Sequence, residues 1–75
     1  MLIIDRKKHS IDYIDLSKNI YILGKIESAI NAYSDIAKFQ VEEIGEYYRV
    51  HLIGSKYDGR VTLKEFENYL IDSMN

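Results

Sequence analysis

The sequence predicts a small α+β domain of order β-α-β-β-α, a two-layer sandwich with a three-stranded sheet and two helices on one face. Three observations carry that prediction. Apolar residues recur at helical spacing from Ile22 to about Ala37. They alternate with a period of two through Lys38–Ile53, KFQVEEIGEYYRVHLI. Helical spacing then returns from Leu63 to Met74.

The first element is Ile11–Leu16, IDYIDL, a short run of β-branched and aromatic residues that reads as a strand. Its inward face stays open, because Ile11 and Tyr13 compete with Ile14 and Leu16. Ser17-Lys18-Asn19 marks the turn after it. Upstream, Met1–Ile4 is apolar, so residues 1–10 are expected to form either a short extra strand or a flexible N-terminus. That apolar run is too short for a signal-peptide core or a membrane span.

The first helix follows from Ile22, Ile26, Ala29, Ile30, Tyr33 and Ala37, which fall on one stripe, with Lys25, Glu27, Asn31 and Asp35 facing outward. Next comes a hairpin. A reversal at Ile44-Gly45 sets Phe39 opposite Val50 and Val41 opposite Tyr48, with Ala37 near Leu52. The other face then pairs Lys38 with His51, Gln40 with Arg49, and Glu42 with Tyr47. An even loop keeps these faces apart, and Gly45 supplies the left-handed backbone such turns use. A right-handed crossover lets the first strand lie beside the third, in spatial order 1-3-2.

The last helix opens in Tyr57–Leu70, YDGRVTLKEFENYL, whose first half looks like a calcium loop. With Glu65 as twelfth loop position and Gly59 as sixth, the first and third positions fall on Gly54 and Lys56. Glycine offers no side-chain oxygen, and lysine brings positive charge to a cation site. The preceding residues also alternate as a strand where an EF-hand needs a helix. A helix start accounts better for the same letters. Thr62-Leu63-Lys64-Glu65 fits a capping box, with Val61 and Phe66 as its hydrophobic staple and Asp58-Gly59 as the turn. Leu63, Phe66, Leu70 and Met74 form the core stripe, with Tyr69 beside it.

Composition bounds the function. The chain has 75 residues, so it predicts one domain with one modest core, near the size where packing or oligomerisation must supply extra stability. It has no cysteine, which excludes disulfides and thiolate metal sites. Ten basic against twelve acidic residues give a net charge of −2. Arg6-Lys7-Lys8 is the only basic cluster, so nucleic acid is not an expected partner. Neither a membrane segment nor a targeting signal is evident, and the expected compartment is the cytoplasm.

No residue pattern signals catalysis, a cofactor or a metal centre. His9 and His51 are the only histidines and lie in different elements. There is no phosphate-binding glycine loop and no nucleophile-histidine-acid ordering. The informative feature is the sheet face the helices leave uncovered, which carries Gln40, Glu42, Tyr47, Arg49 and His51. Tyr, Arg and His together favour protein contact, and Tyr47 and Arg49 are the strongest candidates for it. An open sheet edge offers a second route, by strand addition. The expectation is a non-enzymatic interaction module that binds a peptide or protein, with a homo-oligomeric structural protein, such as a homodimer, as the alternative and a degenerate EF-hand-like calcium-binding protein as the weakest reading.

The order of motifs also resembles a known family. A short strand leads into Ser17-Lys18-Asn19-Ile20-Tyr21, then a helix with Ala29-Ile30-Asn31-Ala32-Tyr33-Ser34-Asp35. A hairpin follows with Phe39-Gln40-Val41 and Tyr48-Arg49-Val50-His51-Leu52, and the last helix carries Glu65-Phe66-Glu67-Asn68-Tyr69-Leu70-Ile71-Asp72. Over Tyr13–Asp72 this resembles the small HxsD-like proteins of His-Xaa-Ser peptide-maturation systems. The resemblance implies an accessory protein working beside a radical-SAM maturase. The maturase's iron–sulfur chemistry needs cysteine ligands, which this chain lacks.

Overall fold

The computed structural model describes residues 12–74. The expected extra strand at Met1–Ile4, the basic cluster, His9 and Ile11 lie outside the described residues. Five elements follow in the expected order: β1 Tyr13–Ser17, α1 Leu23–Ala32, β2 Ala37–Ile44, β3 Tyr47–Ser55 and α2 Gly59–Ser73. The sheet order is β1-β3-β2, with β3 antiparallel to both neighbours. β1 and β2 therefore run parallel, and α1 makes the crossover between them.

Alternation along the strands puts one set of side chains under the helices. Leu16 from β1, Phe39 from β2, and Val50 and Leu52 from β3 join Ile26 and Ala29 of α1 and Leu63, Phe66 and Leu70 of α2 in a single core. Phe66 lies at its centre, stacked on Phe39 with ring centroids 4.4 Å apart and meeting Tyr33 edge-on at 5.9 Å. In β1 the inward pair is Ile14 and Leu16, which turns Tyr13 and Asp15 to the open side.

Three local expectations are corrected. α1 stops at Ala32, five residues short of the expected end. The Tyr33 amide bonds back to the carbonyls of Ala29 and Ile30, and Ser34 and Ile36 continue as tight turns through Asn31 and Tyr33. Ser34-Asp35 favours such turns, since short polar side chains compete with the helical backbone. Ala37 is buried as expected, but as the first residue of β2, because it satisfies both periodicities. At the other end Ile22 is the N-cap, 66% exposed and outside the buried stripe.

The hairpin register differs by two residues from the expected one. Phe39 pairs with Leu52, Gln40 with His51, Val41 with Val50, Glu42 with Arg49 and Ile44 with Tyr47. The loop is Gly45-Glu46, and Gly45 has φ +55° at its first position, as a type II′ turn requires. A shift of two leaves every side chain on its expected face, so the core is unaffected. At the far end a bulge skips Ile53, between the partners of Lys38 and Phe39.

The last helix begins earlier than the capping box places it. Asp58 is the N-cap, its carboxylate accepting from the amides of Arg60 at 2.9 Å and Val61 at 3.3 Å. Thr62 sits inside the first turn and is buried, and Val61 is exposed, so neither the box nor the staple forms. A hydroxyl relay locks the junction instead. The Tyr57 amide donates to Ser55 Oγ, Ser55 donates to Thr62 Oγ1 at 2.8 Å, and Thr62 donates to the Asp58 carbonyl at 2.9 Å. Gly59 lets this turn approach β3 closely, since a Cβ there would lie 3.3 Å from Leu52 Cδ2. Leu63, Phe66 and Leu70 form the buried stripe as expected, while Met74 is the C-cap and Tyr69 is exposed.

Candidate functional site: the open sheet face

Pairing across the three strands arranges in rows the face that no described helix covers. Tyr13, His51 and Gln40 form one row, Asp15, Arg49 and Glu42 the next, and Ser17, Tyr47 and Ile44 the third. All five residues singled out from the sequence, Gln40, Glu42, Tyr47, Arg49 and His51, come together here. β1 adds Tyr13, Asp15 and Ser17, which sequence reasoning missed because the inward face of the first strand was ambiguous. Their signal was the alternation with Ile14 and Leu16, once those were taken as core. Ile44 was missed as well, because it was placed in the turn.

The middle of the face is a network of paired side chains. The Arg49 guanidinium donates through Nε to Asp15 Oδ1 at 2.8 Å and through a terminal nitrogen to Oδ2 at 3.0 Å. It also stacks over the Tyr13 ring, 4.1 Å from the centroid. His51 Nε2 lies 2.8 Å from Glu42 Oε1, and its ring is 5.9 Å from that of Tyr13. The hydrogen bonds from Arg49 hold the Asp15 carboxyl below the usual carboxylate range, against a smaller opposing effect of burial. The charges of Arg49 and His51 act in the same direction. Arg49 is itself held more firmly protonated, chiefly by its bonds to Asp15.

This geometry refines the role expected of Arg49. Two of its five N–H donors are engaged by Asp15, which fixes the orientation of the guanidinium. Beside the network, Tyr47 and Ile44 form an apolar corner at the hairpin end, 48% and 36% exposed. The face therefore combines immobilised polar groups with an apolar contact.

A second surface feature is a shallow hollow of about 330 Å³ lined by Tyr33, Ile36, Tyr57, Val61, Thr62 and Glu65. The Tyr33 hydroxyl donates to the Glu65 carbonyl at 3.1 Å, and burial, with help from the Glu65 charge, pushes its phenol up. Asp58, the central residue of the calcium-like stretch, spends a carboxylate oxygen on the helix cap. Among the described residues no three His, Asp or Glu side chains are placed to hold a metal ion, and no helix is long and apolar enough to cross a membrane. Comparison with protein-family models, curated proteins and solved structures finds no match.

Proposed function

We propose that this chain is a non-catalytic accessory protein that presents its open sheet face to a peptide or protein partner. One observation carries the reading. Both helices pack on the same side of the sheet, and the other side holds a pre-ordered Tyr13–Arg49–Asp15 cluster next to the exposed Tyr47 and Ile44. Ordering before binding lowers the entropic penalty of association. The motif resemblance supports a setting beside a radical-SAM peptide maturase in the cytoplasm.

The test uses the maturase and the short precursor peptide that this reading expects to be encoded next to this chain. Each is titrated against the wild type and against a Tyr47→Ala/Arg49→Ala double variant whose amide dispersion shows it folded. Saturable binding to the wild type, weakened at least ~30-fold in the variant, is the expected result. Equal affinity for both would place the contact elsewhere. A gene neighbourhood encoding neither protein would remove the maturation setting. A homo-oligomer, the alternative, is favoured by a different observation, the backbone edge of β2 that no described strand pairs.

A further inference from the structure

We infer that the chain forms a two-fold dimer by antiparallel pairing of β2 with the β2 of a second copy, centred on Gln40. This interface runs along the β2 edge of the open face, sharing Gln40 and Glu42 with it while leaving Tyr47 and Arg49 uncovered, and its arguments are backbone polarity and charge; Glu42 keeps one carboxylate oxygen on His51.

β2 is an edge strand among the described residues. The direction of its backbone groups is fixed at its start. The Ile36 carbonyl accepts from Lys56, just past the end of β3, whereas the Ala37 amide turns away to Tyr33. Even-numbered residues therefore bond to β3, and Phe39, Val41 and Glu43 aim their N–H and C=O groups at the open edge. An edge of this kind is a template for another strand unless side chains oppose it.

The side chains of β2 select one register. With Gln40 on the two-fold axis, Lys38 lies opposite Glu42 of the second copy, and Glu42 opposite its Lys38. Phe39 lies opposite Val41. The backbone agrees, because Phe39 and Val41 then exchange hydrogen bonds. Lys38, Gln40 and Glu42 fall at the non-hydrogen-bonded positions, where side chains approach most closely. Neighbouring registers lose this match. One sets Phe39 against Glu43 and Glu42 against Gln40, and the next sets Glu42 against Glu42. The charges that discourage promiscuous pairing thus leave a single complementary one. The product is a continuous sheet whose two open faces lie side by side.

Charge exchange tests both the interface and its register, with mass measured by sedimentation across micromolar to millimolar concentration. The wild type is expected to dimerise. Lys38→Glu and Glu42→Lys each replace both ion pairs by like-charge pairs, and each should weaken self-association roughly tenfold or more. An equimolar mixture of these two variants should form a heterodimer of wild-type strength, and the Lys38→Glu/Glu42→Lys double variant should dimerise by itself. A wild type that stays monomeric at millimolar concentration overturns the proposal. So do single variants that associate like the wild type, or a mixture that fails to recover.

Discussion

The two faces of β3 are made by different physics. Tyr48, Val50 and Leu52 turn inward, where Val50 and Leu52 are buried between the helices and the neighbouring strands. Tyr47, Arg49 and His51 turn outward, where pairing fixes the latter two: Arg49 with Asp15 and Tyr13, and His51 with Glu42. Volume decides the inner face, and each inner residue contributes through close packing. Charge and hydrogen bonding decide the outer one, with little expected return in stability because the groups are solvent-screened. Side chains that stability does not dictate are the ones available for recognition.

The largest effect that separates the faces belongs to Phe66. Its ring is fully buried against Phe39 and Tyr33. Phe66→Ala should lower stability by about 3–5 kcal/mol, read from the denaturant midpoint at constant slope. In a domain of this size that is a large share of the total. A loss no greater than that of a surface substitution would mean that α2 docks by another face.

The start of α2 gives a smaller effect and sharpens the account of the inner layer. Asp58→Ala removes the acceptor for two helix-end amides and should cost about 1 kcal/mol. Glu65→Ala should be close to neutral, since the Glu65 contact to Tyr33 runs through its backbone carbonyl. The capping box read from Thr62 predicts the reverse ranking. Chemical denaturation of the two variants side by side decides between them.

That reversal shows where the sequence was legible. Period and parity were readable, so the element order, the strand order and the assignment of Phe39, Val50, Leu52, Leu63, Phe66 and Leu70 to the core all hold. Boundaries were not, because single residues satisfied two patterns. Ala37 fits both a helix stripe and a strand face, and Thr62-x-x-Glu65 imitates a cap three residues inside the helix that Asp58 begins. The hairpin slipped by two for a similar reason, since Gly45 can take either central position of a two-residue turn. On the open face, Gln40, Glu42, Tyr47, Arg49 and His51 followed from alternation. The Asp15–Arg49 and Tyr13–Arg49 contacts did not, because they require the register of β1 on β3 and the choice of which β1 face turns outward.

On the outer face the stability effects should be small. Tyr47→Ala/Arg49→Ala removes an exposed ring and a solvent-screened ion pair, and its denaturant midpoint should stay close to the wild type's. An unfolded or molten double variant would erase the contrast between the faces, because it would make the network part of what holds the sheet together.

The smallest effect is the pH dependence that Asp15 confers. Its folded carboxyl titrates below the ordinary value of 3.8, chiefly because Arg49 donates two hydrogen bonds to it. Folding therefore favours the ionised form, so the contribution is present above the unfolded value and is lost as pH falls through the folded one. Below that range the wild type and Asp15→Asn should converge, and above it the wild type should hold a small advantage. The advantage should shrink in high salt because the pair is exposed. A carbon-detected titration of the Asp15 carboxyl reads the cause directly. In Arg49→Ala its midpoint should rise towards the ordinary value, while the core resonances of Val50 and Phe66 stay in place. A midpoint unmoved by loss of the guanidinium would mean that Arg49 does not hold Asp15 in solution. The open face would then be a set of independent side chains, with nothing pre-ordered to offer a partner.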